Sequence, residues 1–352
     1  MPDARRPAAP AAVRTVVRIW SGRPYRKAPD GRAPGTGPPP GPAHPSAYAR
    51  GMRLSTVILP VLRWAEGGRE RWRRAEELGF HTAYTYDHLS WREPFRDGTW
   101  FGALPTLTAA ATATGRIRLG TLVTSPNFRH PVTLAKELIT LDDVSGGRIT
   151  LGIGAGGTGY DATVLLGPGE RPWTPRERAD RFGEFLPLLD RLLTEGAVTH
   201  RGEYYSAHEA RTVPGCVQRP RVPFAVAATG PRGMRLAARY GQAWVTTGDP
   251  KVVAAGGTAE DSRAAIRAQL ERLERICAEE GRDAAGLPKI LLTGFTPDRP
   301  LASLGAFVDF AGTYRELGID EIVLHWPIDG TMFEADPEVF EEIATEAPGQ
   351  LS

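Results

Sequence analysis

The feature that most constrains the fold of this chain is a regular alternation of short apolar segments with longer amphipathic ones from Met52 onward. Each apolar segment is short and rich in β-branched residues, as expected of strands buried on both faces, and a segment with helical spacing follows it. Eight such units in succession predict a (β/α)8 TIM barrel. The predicted strands span 53–60, 82–88, 117–124, 149–156, 222–228, 243–248, 289–295 and 320–327.

The predicted helices follow the strands at 69–79, 103–115, 132–147, about 176–195, 231–241, about 258–281, about 301–317 and about 336–346. A doubly wound sheet would alternate in the same way, but the first strand is followed by "PVLRWAEG", which lacks the glycine pattern of a dinucleotide-binding turn. The barrel is therefore the preferred fold. The polar stretch 198–221 interrupts the alternation and predicts a hairpin or loop on the rim.

Residues 1–51 differ from the rest of the chain in composition. They hold nine Arg or Lys, two acidic residues and eleven prolines. Such a segment buries too little apolar surface to offset the entropy of ordering, so a disordered extension is expected at 1–51 and the barrel domain at 52–352. A translation start at Met52 is an alternative, because "MRLSTVILP" leads directly into the first strand.

Charge and cysteine content limit the function classes. Without the extension, 34 basic residues face 39 acidic ones, a net charge of −5, so we expect no nucleic-acid partner. No apolar run approaches the roughly 20 residues of a membrane span. Two cysteines without a CxxC spacing make no disulfide framework, which favours a reducing, cytoplasmic location.

The second predicted strand ends in an acid, an imidazole and a large aromatic side chain, at Asp87, His88 and Trp91. Catalytic groups of such barrels lie at the C-terminal ends of the strands, where these three residues are expected. A histidine can take up or release a proton near neutral pH, and a neighbouring carboxylate can orient it. We therefore predict that Asp87, His88 and Trp91 form the catalytic group.

The other strand ends are rich in glycine, threonine and serine. A metal-dependent hydrolase is a poor alternative, because no His-x-His pair occurs and no second cluster completes a ligand set. Aromatic side chains at other strand ends suggest an apolar or ring-bearing substrate, and they are Trp64, Trp100, His325 and Trp326.

The stretch Arg116–Gly156 reads "RIRLGTLVTSPNFRHPVTLAKELITLDDVSGGRITLGIGAG" and resembles the bacterial luciferase-like flavin and deazaflavin oxidoreductases. The likeness extends over about 53–330, through "DHL", "HRGEYY" and "AATGPRGMRLAARYGQAWVTTG". It implies a small-molecule oxidoreductase. Asp-His after the second strand is similar to the branch that uses coenzyme F420, a 5-deazaflavin, and FMN is the alternative cofactor.

The resemblance also implies where the cofactor binds. A bulge with a non-proline cis peptide bond at Leu122–Val123 would back the ring, with Thr124 at the ring edge. The remaining cofactor-binding residues would be Gly154, Ala155 and Gly156 along its approach and Ala228, Thr229 and Gly230 near its phosphate. Asp161 stands where relatives often carry Glu, so its role is left open.

Three functional alternatives follow. With coenzyme F420, a hydride would pass to or from a small organic substrate. With FMN, reduced flavin would activate oxygen and the protein would be a monooxygenase. A cofactor-binding protein without turnover is the third alternative, and a homodimer is expected because members of the family commonly dimerise.

Overall fold

The computed structural model of the chain describes residues 51–157 and 159–351. Eight parallel strands close into a barrel, which confirms the predicted fold. The barrel strands are β1 (Arg53–Val57), β2 (Thr82–Thr85), β3 (Arg118–Thr124), β4 (Ile149–Gly154), β7 (Phe224–Ala227), β8 (Ala243–Thr246), β9 (Lys289–Leu292) and β10 (Glu321–His325). Their order around the barrel is β1-β10-β9-β8-β7-β4-β3-β2.

One or two helices follow each barrel strand. They are α1 (Arg69–Glu77), α2 (Ala103–Ala113), α3 (Pro131–Ser145), α4 (Pro175–Thr194), α5 (Pro231–Tyr240), α6 (Pro250–Ala254), α7 (Ala259–Glu279), α8 (Leu304–Glu316) and α9 (Pro337–Gln350). Short 3-10 turns occur at Tyr160–Ala162, Ala284–Gly286 and Pro300–Ala302. The polar stretch predicted to form a hairpin or loop at 198–221 contains an antiparallel hairpin of β5 (Ala197–Arg201) and β6 (Ser206–Arg211), which confirms the hairpin.

Local sequence explains where the longer helices begin and end. At α4, the Thr174 side chain accepts from the Glu177 amide while the Glu177 carboxylate accepts from the Thr174 amide, a capping box. At α3, Pro131 occupies the first turn and Gly146 ends the helix in the left-handed region at φ 64°. Capping residues therefore fix where both helices begin, after the ends of β3 and β4.

Several predicted strands are longer than the observed ones. The first was expected at 53–60 and ends at Val57, and the second was expected at 82–88 and ends at Thr85. The apolar run continues past each strand because the following residues enter the mouth of the barrel and stay buried there. The predicted extension, residues 1–51, lies outside the described residues except for Gly51.

Two layers of apolar side chains stabilise the barrel. The larger layer packs the outer faces of the strands against the helices, as Trp244, Phe224 and Leu119 do. The smaller layer fills the barrel interior and continues into its C-terminal mouth. Because side chains alternate across a strand, neighbouring residues at the rim belong to different layers.

No helix in the described part of the chain is both long and apolar enough to cross a membrane.

Candidate active site

His88 lies at the C-terminal mouth of the barrel, three residues beyond the end of β2, and is about 30% exposed. Its Nδ1 pairs with the carboxylate of Asp161, which sits in the 3-10 turn after β4. The other oxygen of that carboxylate accepts from the Leu89 amide at 2.7 Å. Asp161 is only 6% exposed, so the imidazole is held by a buried carboxylate that is itself fixed by backbone.

This pairing determines which nitrogen of His88 is available for chemistry. An ionised carboxylate can only accept, so Nδ1 donates to Asp161 and Nε2 of the neutral ring is left with a lone pair. Among the described residues, no hydrogen-bond partner lies at Nε2. The arrangement is able to accept a proton from a substrate in the mouth and to return it.

Asp87 does not orient His88, so that expectation is wrong. Its carboxylate is 2% exposed and receives two bonds from Arg129, Nη2 at 2.7 Å and Nε at 3.1 Å. Thr124 Oγ1 donates to it at 2.8 Å. Adjacent residues of an extended segment point to opposite sides, so Asp87 and His88 face different partners.

The aromatic side chains beside His88 form one group, the aromatic cluster. Trp91 belongs to it, with its ring 6.4 Å from the His88 ring and 20° from parallel. Trp100 also donates from its indole nitrogen to the His88 carbonyl oxygen at 2.9 Å. Most of the cluster comes from loops at the mouth, and its members are Tyr86, Trp91, Phe95, Trp100, Phe295 and Phe333.

Only part of the aromatic set expected from the strand ends reaches the mouth. Trp100 and His325 do so, and Tyr86 donates to or accepts from His325 Nε2 at 2.7 Å. Trp64 and Trp326 instead pack with the outer layer, where the Trp326 ring lies 5.1 Å from Phe340 of α9. Expecting these two in the site was wrong: Trp326 follows β10, where alternation turns it towards the helices, and Trp64 lies in the helical turn Trp64–Gly68, beyond the end of β1.

The residues expected at the cofactor ring surround a bulge between β3 and β4. The Leu122–Val123 peptide bond is cis, which confirms that expectation, and the register shifts between Thr121 and Thr124. Gly152 is required beside the bulge, since a Cβ there would lie 2.0 Å from the Thr121 carbonyl oxygen.

A flat ring fits the side of the mouth next to this bulge. The inward positions of β4 and β7 are small, namely Gly154, Ala225 and Ala227, and a Cβ on Gly154 would already touch Val123 and Ala227 at 3.3–3.4 Å. Thr124 is fully buried and its hydroxyl is bonded to Asp87. These residues fit the ring that the resemblance implies, although Thr124 presents no free hydroxyl.

The remaining predicted cofactor residues lie along the rim. Ala155 follows β4, and Gly156 adopts φ 80°, with its carbonyl oxygen bonded by Arg178 at 3.1 Å. Ala228 is half-buried after β7, and Thr229 and Gly230 are exposed where α5 begins. The first amides of a helix are free to bind an anion, so this end suits a phosphate.

The described residues include no group of three or more His, Cys, Asp or Glu side chains placed to hold a metal ion.

Comparisons with known proteins agree with this architecture. The sequence model of the luciferase-like monooxygenase family matches residues 63–297. An F420-dependent glucose-6-phosphate dehydrogenase of Beutenbergia cavernae is 40% identical over 178 residues, 49% of this chain and 50% of that protein. A 4-hydroxyprotoasukamycin monooxygenase of Streptomyces nodosus subsp. asukaensis is 32% identical over 269 residues, 74% of this chain and 64% of that protein.

Among solved structures, a coenzyme F420 dependent tetrahydromethanopterin reductase from Methanopyrus kandleri superposes with a TM-score of 0.65 at 19% identity, covering 86% of this chain and 100% of that one. This likeness supports the fold. The chain spans about half the length of the sugar-phosphate dehydrogenases it matches.

Proposed function

Because the chain belongs to the luciferase-like monooxygenase family, we propose that it transfers a hydride between coenzyme F420 and a small organic substrate at the mouth of the barrel. The observation that carries this proposal is the His88–Asp161 pair, which joins the segments after β2 and β4 on either side of β3, the strand that carries the bulge. The pair supports a role for His88 as the proton acceptor of the reaction.

Each residue of the site has a proposed task. His88 takes the hydroxyl proton of the substrate at Nε2, or returns it in the opposite direction, while Asp161 holds the ring through Nδ1. Leu122, Val123 and Gly154 back the ring of the cofactor, and Trp91 excludes water from the site. When bound, the coenzyme supplies a carbon that accepts or gives the hydride.

Asp87 has a supporting task in this account. Its carboxylate is saturated by Arg129 and Thr124, so it fixes the ends of β2 and β3 rather than moving a proton. Ala155, Gly156, Ala228, Thr229 and Gly230 line the path of the cofactor towards its phosphate. Similarity to dehydrogenases described as F420-dependent supports the choice of cofactor.

An FMN-dependent monooxygenase is the second candidate. The observation in its favour is the similarity to the Streptomyces monooxygenase, which extends over more of this chain than the similarity to the sugar-phosphate dehydrogenases. Oxygen would then be the co-substrate, and turnover would require it.

Substrate turnover separates these candidates. Reduction of coenzyme F420 by a panel of small alcohols is followed anaerobically for the wild type, His88→Ala and His208→Ala. His208 is an exposed histidine of the hairpin and serves as the matched control. We expect His88→Ala to lose about 10²- to 10⁴-fold in kcat while His208→Ala keeps wild-type turnover.

Three outcomes contradict the proposal. Unchanged turnover in His88→Ala removes the proton role from that residue. Turnover only with FMN and oxygen supports the monooxygenase. Binding of the coenzyme without turnover of any alcohol or carbonyl compound supports a cofactor-binding protein.

A small organic molecule as substrate, no nucleic-acid or membrane partner, a homodimer and a cytoplasmic location complete the proposal. The acidic balance of residues 52–352 supports the absence of a nucleic-acid partner. Sedimentation of the purified protein tests the dimer.

A further inference from the structure

Three rings of the aromatic cluster, Tyr86, Trp91 and Trp100, lie beside the ring of His88, whose Nε2 is the proposed proton acceptor. Trp91 and Phe333 lie nearly parallel, 9° apart with centroids separated by 5.8 Å, and Phe95 lies 5.4 Å from Trp91. Trp91 and Trp100 are half-buried, so both present ring surface to whatever enters beside His88. Aromatic faces of this kind bind planar apolar groups by burial and by ring packing.

The floor below the cluster carries no charge at neutral pH. His325 is buried and bonded to Tyr86, and burial together with nearby Arg92 lowers the pKa of His325 to about 3. Burial also raises the pKa of Tyr86 well above its ordinary value. A neutral imidazole and a neutral phenol therefore lie under the aromatic rings.

Of the arginines near the mouth, Arg129 and Arg178 donate to groups of the protein, while Arg92 packs on aromatic rings. Arg92 lies over Trp91 at 4.9 Å and over Phe295 at 5.6 Å. The guanidinium of Arg129 donates two hydrogen bonds to Asp87 and also donates to Glu137 at 3.2 Å. Recognition of a phosphate group typically uses such a fork or a lysine cluster, and engaging Arg129 would leave Asp87 buried and unpaired.

We propose, on the basis of the proposed function, that the substrate is an uncharged alcohol with an aromatic or similarly flat apolar body, or the matching carbonyl compound. In the oxidative direction the C–H bond breaks and its electron pair leaves with the hydride to the coenzyme. The O–H bond breaks as its proton passes to His88 Nε2, and the C=O bond forms. The apolar body rests against Trp91 and Trp100, and the buried ring of Phe333 packs behind Trp91.

Two naphthyl compounds and one sugar phosphate test this proposal. Acetonaphthone is titrated into protein with and without oxidised coenzyme F420, a mixture in which no hydride can be transferred, and its binding is followed by tryptophan fluorescence. Naphthylethanol is then supplied as the hydride donor. Glucose 6-phosphate is the anionic comparison in both assays.

The variants are Phe333→Leu, which removes a ring but keeps an apolar side chain, and Phe101→Leu. Phe101 is an exposed phenylalanine next to Trp100 that lines a groove on the helix side of the barrel, so it is the matched control. We expect Phe333→Leu to weaken acetonaphthone binding about 3- to 10-fold and Phe101→Leu to leave it unchanged. Glucose 6-phosphate should neither bind nor reduce the coenzyme.

Tighter binding of glucose 6-phosphate than of acetonaphthone overturns the inference, as does an equal effect of the two substitutions. Reduction of the coenzyme by glucose 6-phosphate but not by naphthylethanol also overturns it, while leaving the proposed hydride transfer intact. Cluster-dependent binding of acetonaphthone without any turnover supports the recognition of a flat uncharged body and counts against the proposed function instead.

Discussion

The two ends of the barrel use the same pair of strands for opposite purposes. Tyr84 and Tyr86 both point inward from β2 and its extension, and each contacts a residue of β10. At the N-terminal end Tyr84 donates to Glu321, a buried carboxylate that also accepts from Ser55 and pairs with Arg53. At the mouth Tyr86 meets a neutral His325 under the aromatic cluster.

This difference indicates how one framework separates stability from chemistry. The N-terminal end of the barrel, the closed end, holds the Glu321 network, in which Glu321 of β10 accepts hydrogen bonds from Ser55 of β1 and Tyr84 of β2. At the open end the floor under the aromatic cluster is neutral, and the charged side chain of Asp87 is paired with Arg129 away from His88. We therefore expect substitutions in the Glu321 network to change folding stability most, and substitutions of His88 or Asp161 to change turnover.

The largest effect is expected at Glu321. Glu321→Leu leaves the buried hydroxyls of Ser55 and Tyr84 without their common acceptor, which costs about 1–3 kcal/mol for each hydroxyl. Urea unfolding should report this loss while kcat of the folded protein stays at the wild-type value. Glu316→Leu, at an exposed position of α8, is the control and should change the free energy of unfolding by less than about 0.5 kcal/mol. A large loss of kcat in folded Glu321→Leu would break the division between the two ends.

The next largest effect is on the pH dependence of stability, through His325. Its pKa is lowered in the folded state, so the unfolded chain binds the proton more readily and stability falls as the pH drops below about 6.5. Between pH 7 and pH 4 the loss assigned to His325 is about 3 kcal/mol.

His325→Gln should flatten the profile by that amount, as measured by urea unfolding at each pH. His81 and His130, whose pKa values burial also lowers, are present in both proteins and cancel in the difference. Parallel profiles for the two proteins would show that His325 is not kept neutral by burial under the aromatic cluster.

A third prediction concerns Asp161 and assumes the proposed reaction. Asp161→Asn replaces the carboxylate that holds His88 Nδ1 and should lower kcat about 10- to 100-fold, since a hydrogen bond to a charged group contributes about 1.5–3 kcal/mol. The affinity for the coenzyme and the urea midpoint should stay close to wild type, and Asp161→Glu should restore part of kcat. A parallel loss of coenzyme affinity and stability would make Asp161 a structural residue only.

The smallest effect is expected at Thr124. Thr124→Val keeps the shape of the side chain and removes its bond to Asp87, which costs about 1 kcal/mol in urea unfolding. The cost stays small because Arg129 still satisfies Asp87. Thr133→Val, at an exposed position of α3, is the control. A loss near that of Glu321→Leu would mean that the Asp87–Arg129 pair at the mouth stabilises the fold as much as the Glu321 network does.

The sequence predicts the barrel because eight short apolar segments alternate with amphipathic segments of helical spacing, and each segment can be recognised from its own residues. It predicts the position of His88 for the same reason, since the residue follows a strand. It does not predict the partner of His88. Asp161 is 73 residues away, and only closure of β2, β3 and β4 side by side brings the two together.

The prediction fails where it depends on which way a side chain faces. Asp87 was expected beside His88 and lies against Arg129, and Trp326 was expected in the mouth and packs on α9. The residues that follow a strand show no repeating pattern in the sequence that fixes whether each side chain faces the mouth or the helices. The sequence offers one indication that Asp161 belongs to the site: it follows the glycine-rich segment after β4, at a position where relatives often carry Glu.

The central claim is tested most directly by a fluorescence titration of the purified protein with coenzyme F420 and with FMN, side by side. The account predicts saturable binding of coenzyme F420 at a much lower concentration than FMN, with bound coenzyme quenching the tryptophans of the aromatic cluster. Tight binding of FMN alone would contradict the choice of cofactor and make oxygen-dependent oxidation the reaction to test. Binding of neither would contradict the account of the mouth as a cofactor site.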